Sequence, residues 1–312
     1  MDETAPIVSP DVASPETIAL PGLGIGRSIA LCGVFLIVVT AAHLALGKLL
    51  KLLFQSEDFS LDTFSAMLLP QILAWLVTIL LGLQWARMTF REACPLTSFP
   101  LRIVPALLVA SFGATILLLD LAIQIPIPKE FVKSAIEERT RSGVLVLFLP
   151  VVIVAPIAEE MFFRGLLFRS YLRRYSVTKA VWTSAVVFAL FHLNPWQAII
   201  ALPLGLAFAW LVLRTGSIVP GMLCHAMVNF STNFLLGPFG TLLGYSDEYW
   251  ETAKHFPPPM LAIGAAMTLV GSAILWRQLS GTTATIAVAT AAAPSSADVV
   301  APLAATDDGP IL

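Results

Sequence analysis

Two adjacent glutamates and an arginine interrupt an otherwise apolar stretch, APIAEEMFFRGLLF at 155–168, in the middle of the chain. Glu160 and Arg164 are four residues apart, so in a helix they share one face in the order that favours an ion pair. Glu159 is turned about 100° away from Glu160. A carboxylate without a bonded cation in an apolar site could act as a general base. We therefore predict a structural Glu160–Arg164 pair and a catalytic Glu159, the alternative being one structural network of all three.

A histidine, His192, lies near the end of a second apolar stretch, FALFHLNP at 188–195. Alone, a histidine in a membrane helix is most often a hydrogen-bond donor to a neighbouring helix. Phe188 precedes it by about one helical turn, which predicts that the two rings pack together. The alternative for Phe188 is an ordinary position in the core.

A third polar pair occurs in CHAMVNF at 224–230. His225 and Asn229 are four residues apart and therefore face the same way on a helix. Such a stripe can hold two membrane helices together by hydrogen bonds. The same two side chains could also donate hydrogen bonds to an oxyanion that develops during a reaction.

The composition of the chain indicates a membrane protein. The 312 residues are 57% hydrophobic and 12% charged, and the mean hydropathy is +0.86. Soluble domains carry about 25% charged residues. The net charge of −2 and the absence of a basic block give no indication of a nucleic-acid partner, and none is expected. The three cysteines are scattered without a CxxC pair, so the sequence predicts neither a disulfide framework nor a thiolate metal site.

Long apolar runs predict an all-α, polytopic transmembrane helical bundle, because about 20 such residues span a bilayer. About eight spans are expected, near 28–47, 64–86, 101–123, 144–168, 180–193, 197–213, 216–236 and 259–277. The protein is therefore expected to be integral to a membrane, the cell membrane if the host is a bacterium.

The distribution of Lys and Arg between the loops predicts a cytoplasmic N-terminus, and the basic loop 169–179 is its strongest support. With this orientation, Glu159, His192 and His225 lie about 15, 18 and 14 Å from the cytoplasmic ends of their spans, at about 1.5 Å per residue. Their similar depth predicts that they line one cavity within the membrane. Such a set suits either a metal-held water or a metal-free general base.

Three motifs occur in order on successive apolar segments: EExxxR at 159–164, FxxxH at 188–192 and HxxxN at 225–229. In this order they resemble the motifs of the CPBP intramembrane proteases. The abbreviation stands for CAAX proteases and bacteriocin-processing enzymes, and the same family is also called the Abi family. This family includes the CAAX prenyl endopeptidase. The resemblance covers about residues 144–236.

The resemblance implies a role for each motif residue in hydrolysing a peptide bond inside the membrane. The glutamate matching Glu159 activates a water with help from the histidine matching His192. The residues matching His225 and Asn229 bind the oxyanion, and the pair matching Glu160 and Arg164 holds the site together.

A divalent metal ion, zinc, is a possible cofactor, which would make the protein a metalloprotease. Glu159, His192 and His225 are its possible ligands, and the sequence leaves metal use open. The expected partners are the lipid bilayer and a membrane-associated protein or peptide substrate, whose identity the sequence does not specify.

The sequence divides into five expected regions. They are a disordered N-terminal tail (1–26), the N-terminal spans with an interfacial segment (27–143), the protease core (144–236), an outer loop with the last span (237–280) and a disordered C-terminal tail (281–312).

Two other functions also fit intramembrane charges. A proton-coupled transporter uses buried Glu, His and Arg, but it usually shows two related halves with broken helices, and the sequence has no apparent internal symmetry. A catalytically silent membrane scaffold is the other alternative, because a fold does not determine a function.

Overall fold

A computed structural model of the chain describes residues 22–54, 63–125, 148–236, 242–243 and 255–281. This part of the chain forms helices joined by turns and contains no strand. The helices are α1 (Ile25–Phe54), α2 (Thr63–Ala86), the short α3 (Phe90–Ala93), α4 (Val104–Ala122), α5 (148–172), α6 (Val177–Phe191), α7 (Pro195–Thr215), α8 (Val219–Phe230) and α9 (Pro258–Leu279).

Two of these helices change their winding along their length. α5 consists of a π-helical segment Phe148–Val154, an α-helical segment Ala155–Glu160, a second π-helical segment Met161–Leu167 and a final α-helical turn Phe168–Leu172. α8 continues into a π-helical segment, Ser231–Leu235. π-Helical turns are rare and occur frequently at functional sites, and here both helices carry motif residues.

The length and apolar character of the helices confirm the predicted all-α membrane bundle. Within the described part of the chain, five helical stretches are long and apolar enough to cross a membrane: Ile25–Leu49, Leu68–Ala86, Leu101–Ala122, Pro195–Thr215 and Pro258–Leu279. The helices α5, α6 and α8 account for the other predicted spans. Of these, α6 is apolar but has only 15 residues. The chain is therefore an integral membrane protein. Its motif-bearing helices are either short, as α6 is, or contain π-helical segments, as α5 and the continuation of α8 do.

The core of the bundle is built around α5. Its segment after the motif glutamates is fully buried, with Phe162, Phe163 and Leu166 at 0% exposure. It packs against α2, α6 and α7, and its first half packs against α8. Because one helix contacts most of the others, side chains on its different faces can reach several partners.

A second close pairing joins α4 and α9. A Cβ added at Gly113 would lie only 2.5 Å from the carbonyl oxygen of Gly264, so the two backbones are in direct contact. Small residues at such positions let membrane helices approach closely, because tight packing drives helix association in lipid.

Several predictions concern residues outside those that the structure describes. They include most of both tails, the interfacial segment at 128–143 and most of the loop at 237–258. The boundaries of the five regions stay predictions.

Candidate active site

The ion pair predicted from the sequence is present at the centre of the bundle. Arg164 Nη1 donates to Glu160 Oε1 at 3.0 Å, and both side chains are fully buried. The guanidinium carbon lies 4.1 Å from the ring centre of Phe188 and 5.0 Å from that of Phe208. A guanidinium between two aromatic faces is attracted by both rings, and this attraction strengthens when water is excluded.

Glu160 also connects α5 to α8. His225 Nδ1 lies 3.2 Å from the same oxygen, Glu160 Oε1, and donates to it because an ionised carboxylate only accepts. This bond directs the other ring nitrogen, Nε2, towards Glu159 Oε2 at 3.9 Å. Glu160 therefore orients the imidazole, in the way that a buried carboxylate commonly orients a functional histidine.

A glycine allows α8 to approach Glu160. A Cβ added at Gly221 would lie 3.0 Å from Glu160 Oε2 and 3.6 Å from Phe208 Cβ. Sequence reasoning missed Gly221. Its position four residues before His225, on the same stripe of the helix, was a signal that could have identified it.

His192 lies at the junction of α6 and α7. Its Nδ1 lies 2.9 Å from the carbonyl oxygen of Phe188 and donates to it, which leaves Nε2 as the available ring nitrogen. The rings of Phe188 and His192 pack edge to face with 5.1 Å between centres, as the spacing predicted. Phe188 also packs edge to face on His225 at 5.7 Å, so one ring supports both imidazoles.

The turn after His192 has a defined geometry. Leu193 has a positive φ of 56°, which reverses the chain. Asn194 then caps α7, its side-chain oxygen accepting from the backbone N–H of Gln197 at 2.7 Å. Pro195 follows as the first residue of α7, a position where its fixed φ and missing N–H suit a helix. The chain between the two helices therefore holds His192 in place.

Asn229 joins α8 to the π-helical start of α5. Its Nδ2 donates to the carbonyl oxygen of Val151 at 2.9 Å. In a π-helix this carbonyl would bond the N–H five residues later, but that residue is Pro156, which has none. The Asn229 amide donates a hydrogen bond to this carbonyl instead. The second N–H of the Asn229 amide remains for other partners.

The predicted site residues meet at one cavity of about 490 Å³ between α4, α5, α6, α7 and α8. Its polar lining includes Glu159, His192, His225, Asn229, Gln197, Thr232 and Asn233. Glu159 Oε2 is buried and has no hydrogen-bond partner among the described residues. The structure thus brings together the acid, the two imidazoles and the carboxamide. Their catalytic roles stay predictions.

Phe208 is a site residue that sequence reasoning missed. It lies on α7, lines the cavity and stacks on His225 with 5.7 Å between ring centres. Trp196 and Gln197, from the start of the same helix, also line the cavity. An aromatic residue in an apolar helix carries no signal that distinguishes a site from a core position, so only the packing of α7 could show its role.

The zinc ion considered from the sequence stays a prediction. Among the residues that the structure describes, no group of three or more His, Cys, Asp or Glu side chains could hold a metal ion. Glu159, His192 and His225 line the same cavity, and Nδ1 of both histidines bonds a protein oxygen, which leaves Nε2 of each ring available. Metal use by the site is therefore still to be tested.

The apolar helical bundle is that of an integral membrane protein. Its cavity, lined by a carboxylate and two imidazoles, has the features of a reaction site inside the protein. Residues 141–231 match the model of the Type II CAAX prenyl endopeptidase Rce1-like family, which confirms the resemblance seen in the motifs. The matched segment covers less than half of the chain and contains all the predicted site residues. No curated protein and no solved structure matches the chain.

Proposed function

We propose that the protein is an intramembrane endopeptidase that hydrolyses a peptide bond of a membrane-associated protein or peptide. One observation carries the proposal. The Glu159 side chain lines a cavity that two imidazoles and a carboxamide also line, and its Oε2 has no hydrogen-bond partner among the described residues. A carboxylate oxygen without a hydrogen bond inside a membrane protein is costly, so a role in chemistry explains why the site keeps Glu159.

In the first step, Glu159 acts as the general base. It accepts a proton from a water in the cavity while the water oxygen bonds to the carbon of the scissile carbonyl. His192 presents Nε2 to the same cavity, because its Nδ1 is held by the carbonyl of Phe188. This nitrogen accepts a hydrogen bond from the water and orients it for attack.

The tetrahedral intermediate carries its negative charge on the former carbonyl oxygen. Asn229 donates its second amide N–H to this oxygen. His225 can also donate, from Nε2, when both of its ring nitrogens are protonated, because its Nδ1 proton is already bonded to Glu160. Such donors are most effective in a site that excludes water.

In the second step, the intermediate collapses. The bond between carbon and nitrogen breaks, and Glu159 returns its proton to the leaving amine. Glu160 and Arg164 take no part in these transfers and act as positioning residues that set the orientation of His225. The scheme routes no step through a metal ion.

The test is to compare peptide termini in membranes that contain the wild type or Glu159→Gln. Since a general base contributes about 10²- to 10⁴-fold, we expect termini that depend on the wild type to be lost in this variant. Glu92→Gln, which changes an exposed glutamate outside the cavity, is the matched control and should keep them.

Each variant must be present in the same amount and must remain folded in detergent at the assay temperature for the comparison to hold. Undiminished cleavage by a normally folded Glu159→Gln protein would rule out the proposed base. Loss of the same termini in Glu92→Gln would show that the effect is not specific to the site.

A further inference from the structure

A second cavity of about 490 Å³ lies between α4, α7, α8 and α9, on the other side of Phe208 from the candidate active site. Its walls are mostly aliphatic and aromatic, including Leu107, Leu118, Ala114, Leu204, Ala207 and Leu275. The volume falls within the range of roughly 300–1,000 Å³ typical of ligand sites. An apolar cavity of this size between membrane helices suits a hydrocarbon chain.

Two tryptophans mark one end of this cavity. Trp210 of α7 and Trp276 of α9 line it and stack in parallel, with 6.2 Å between ring centres and 8° between planes. Tryptophan is enriched at the level of lipid headgroups, where its ring contacts hydrocarbon and its N–H contacts water. This end is therefore expected to lie at a membrane surface.

Arg214 lies beside the tryptophan pair. Its guanidinium carbon is 5.7 Å from the ring centre of Trp276 and 5.9 Å from that of Trp210. No carboxylate of the described residues pairs with it, so its charge is available to an anion at the end of the cavity.

Two further arginines lie at the same end of the bundle. Ile103, Leu107, Leu211, Leu275 and Leu279 pack in one buried cluster, which places the start of α4 beside the ends of α7 and α9. Arg102 adjoins Ile103 in the sequence, and Arg277 lies between Leu275 and Leu279 in the sequence but on the opposite face of α9; both are exposed. The apolar cavity therefore ends at a rim to which Arg214 is the nearest of the three arginines.

We propose that this cavity binds one acyl chain of an anionic phospholipid from the bilayer, with the phosphate at Arg214. The apolar walls take the chain, and Arg214 at the rim supplies charge complementary to the headgroup, with Arg102 and Arg277 adding positive charge at the same end of the bundle. The second chain of the lipid stays in the bilayer. The inference does not depend on the proposed peptidase activity.

The acyl chain in this cavity would contact Phe208, whose ring also packs against residues of the candidate active site. Phe208 and Leu204 line both cavities. On its other side, Phe208 contacts the Arg164 guanidinium and stacks on His225. The bound acyl chain therefore fills the space on the side of Phe208 away from the candidate active site and limits the movement of the Phe208 ring.

The test measures which lipid the full-length protein retains, by native mass spectrometry in detergent with equal amounts of phosphatidylglycerol and phosphatidylcholine. We expect the wild type to retain one phosphatidylglycerol in preference to phosphatidylcholine. Arg214→Gln should lower this preference about fivefold, the effect of losing one arginine near an anionic headgroup. Arg91→Gln removes an exposed arginine outside the rim and should leave the preference unchanged.

A second pair of variants tests the cavity itself. Ala114→Phe fills it from α4 and Ala207→Leu fills it from α7, so each should abolish retention of the lipid. Ala45→Phe, at an exposed position of α1, is the size-matched control and should not. Two cavity variants are used because one of them could fail to fold, which a thermal melt would show.

Three results would overturn the proposal. They are equal retention of the two lipids by the wild type, unchanged retention in the folded cavity variants, and displacement of the phospholipid by a prenylated peptide but not by its unmodified form. The last result would assign the cavity to a lipid-modified substrate.

Discussion

Glu160 is the residue on which the candidate site is built. One of its oxygens, Oε1, receives hydrogen bonds from both Arg164 of its own helix and His225 of α8. A fully buried carboxylate is tolerated only with such partners, because the cost of removing its charge from water must be offset. The arrangement therefore makes the position of the imidazole depend on the buried ion pair.

The ion pair leads to a prediction at the residue scale. Arg164→Met keeps the length of the side chain but leaves Glu160 charged and buried without its cation. We expect the free energy of unfolding in detergent to fall by about 3–5 kcal/mol. Adding Glu160→Gln to this variant should recover part of the loss, because no buried charge then remains.

Arg91→Met, at an exposed arginine, is the control and should change stability by less than about 1 kcal/mol. If Arg164→Met were no more harmful than this control, the pair would contribute nothing to the fold. A double variant no better than Arg164→Met alone would show that packing against the two phenylalanines matters more than charge.

At the scale of the elements, the site depends on how closely α8 packs on α5. Gly221 allows the contact, and the bonds from His225 and Asn229 fasten it at two levels of the helix. These bonds join helices that are far apart in the sequence. A small change in their separation therefore moves both polar side chains of the motif.

Gly221→Ala should disturb this contact. The added Cβ would lie 3.0 Å from Glu160 Oε2, so the carboxylate or the helix must move, at a cost of about 1–3 kcal/mol. Gly33→Ala is the matched control on α1, where an added Cβ meets nothing within 4 Å. There alanine should instead stabilise the helix, by up to about 1 kcal/mol.

Equilibrium unfolding of both variants in the same detergent measures the difference. Equal stability of the two variants would mean that α8 does not need a glycine at its contact with Glu160.

A second contact between elements holds the short α3 against the end of α5. Glu92 accepts hydrogen bonds from the backbone N–H and the hydroxyl of Thr89, at 2.7 and 2.8 Å, and lies 3.3 Å from Arg173. The bonds from Thr89, and secondarily Arg173, hold the pKa of Glu92 below its usual value of 4.5. The charged form is therefore favoured in the folded protein.

The lowered pKa predicts a pH-dependent contribution to stability. Because the pKa is lower in the folded state, ionised Glu92 stabilises the protein above about pH 4.5, and this contribution is lost as the pH falls through the folded-state pKa. We expect the wild type to melt at a higher temperature than Glu92→Gln near neutral pH and the difference to shrink in acid. A difference that grows as the pH falls would contradict the assignment.

At the scale of the whole molecule, the orientation in the membrane stays a prediction. The sequence places the N-terminus in the cytoplasm, and the same assignment places Arg102, Arg214 and Arg277 on the cytoplasmic side. These three arginines do lie at one end of the bundle. That arrangement is compatible with either orientation of the protein, so the side of the membrane on which the three arginines lie must be measured.

Cysteine labelling can determine the orientation. Cys32, Cys94 and Cys224 are replaced by alanine, and a single cysteine is introduced at Gly26 or at the exposed His255. With a cytoplasmic N-terminus, a membrane-impermeant maleimide added to intact cells should label only the cysteine at His255. Both positions should react after lysis, and labelling of only Gly26→Cys in intact cells would reverse the orientation.

Much of the fold and part of the site could be predicted from the sequence. The apolar runs predicted the helical membrane bundle, and the four-residue spacing predicted the Glu160–Arg164 pair and the packing of Phe188 on His192. These contacts lie within one helix or at its end, where local geometry sets which side chains meet. The ordered motifs predicted the resemblance to the family whose model matches residues 141–231, because residue types and their spacing can be read directly from the sequence.

Contacts between helices were decided only by the tertiary structure. The bond from His225 to Glu160, the bond from Asn229 to Val151 and the position of Phe208 all depend on which helices pack together and at what distance. The apolar cavity behind Phe208 arises in the same way. Helical periodicity shows which face of each helix is polar. In a bilayer most helix faces are equally apolar, so the sequence does not show which helices are neighbours. Their arrangement depends on how closely whole helices pack together.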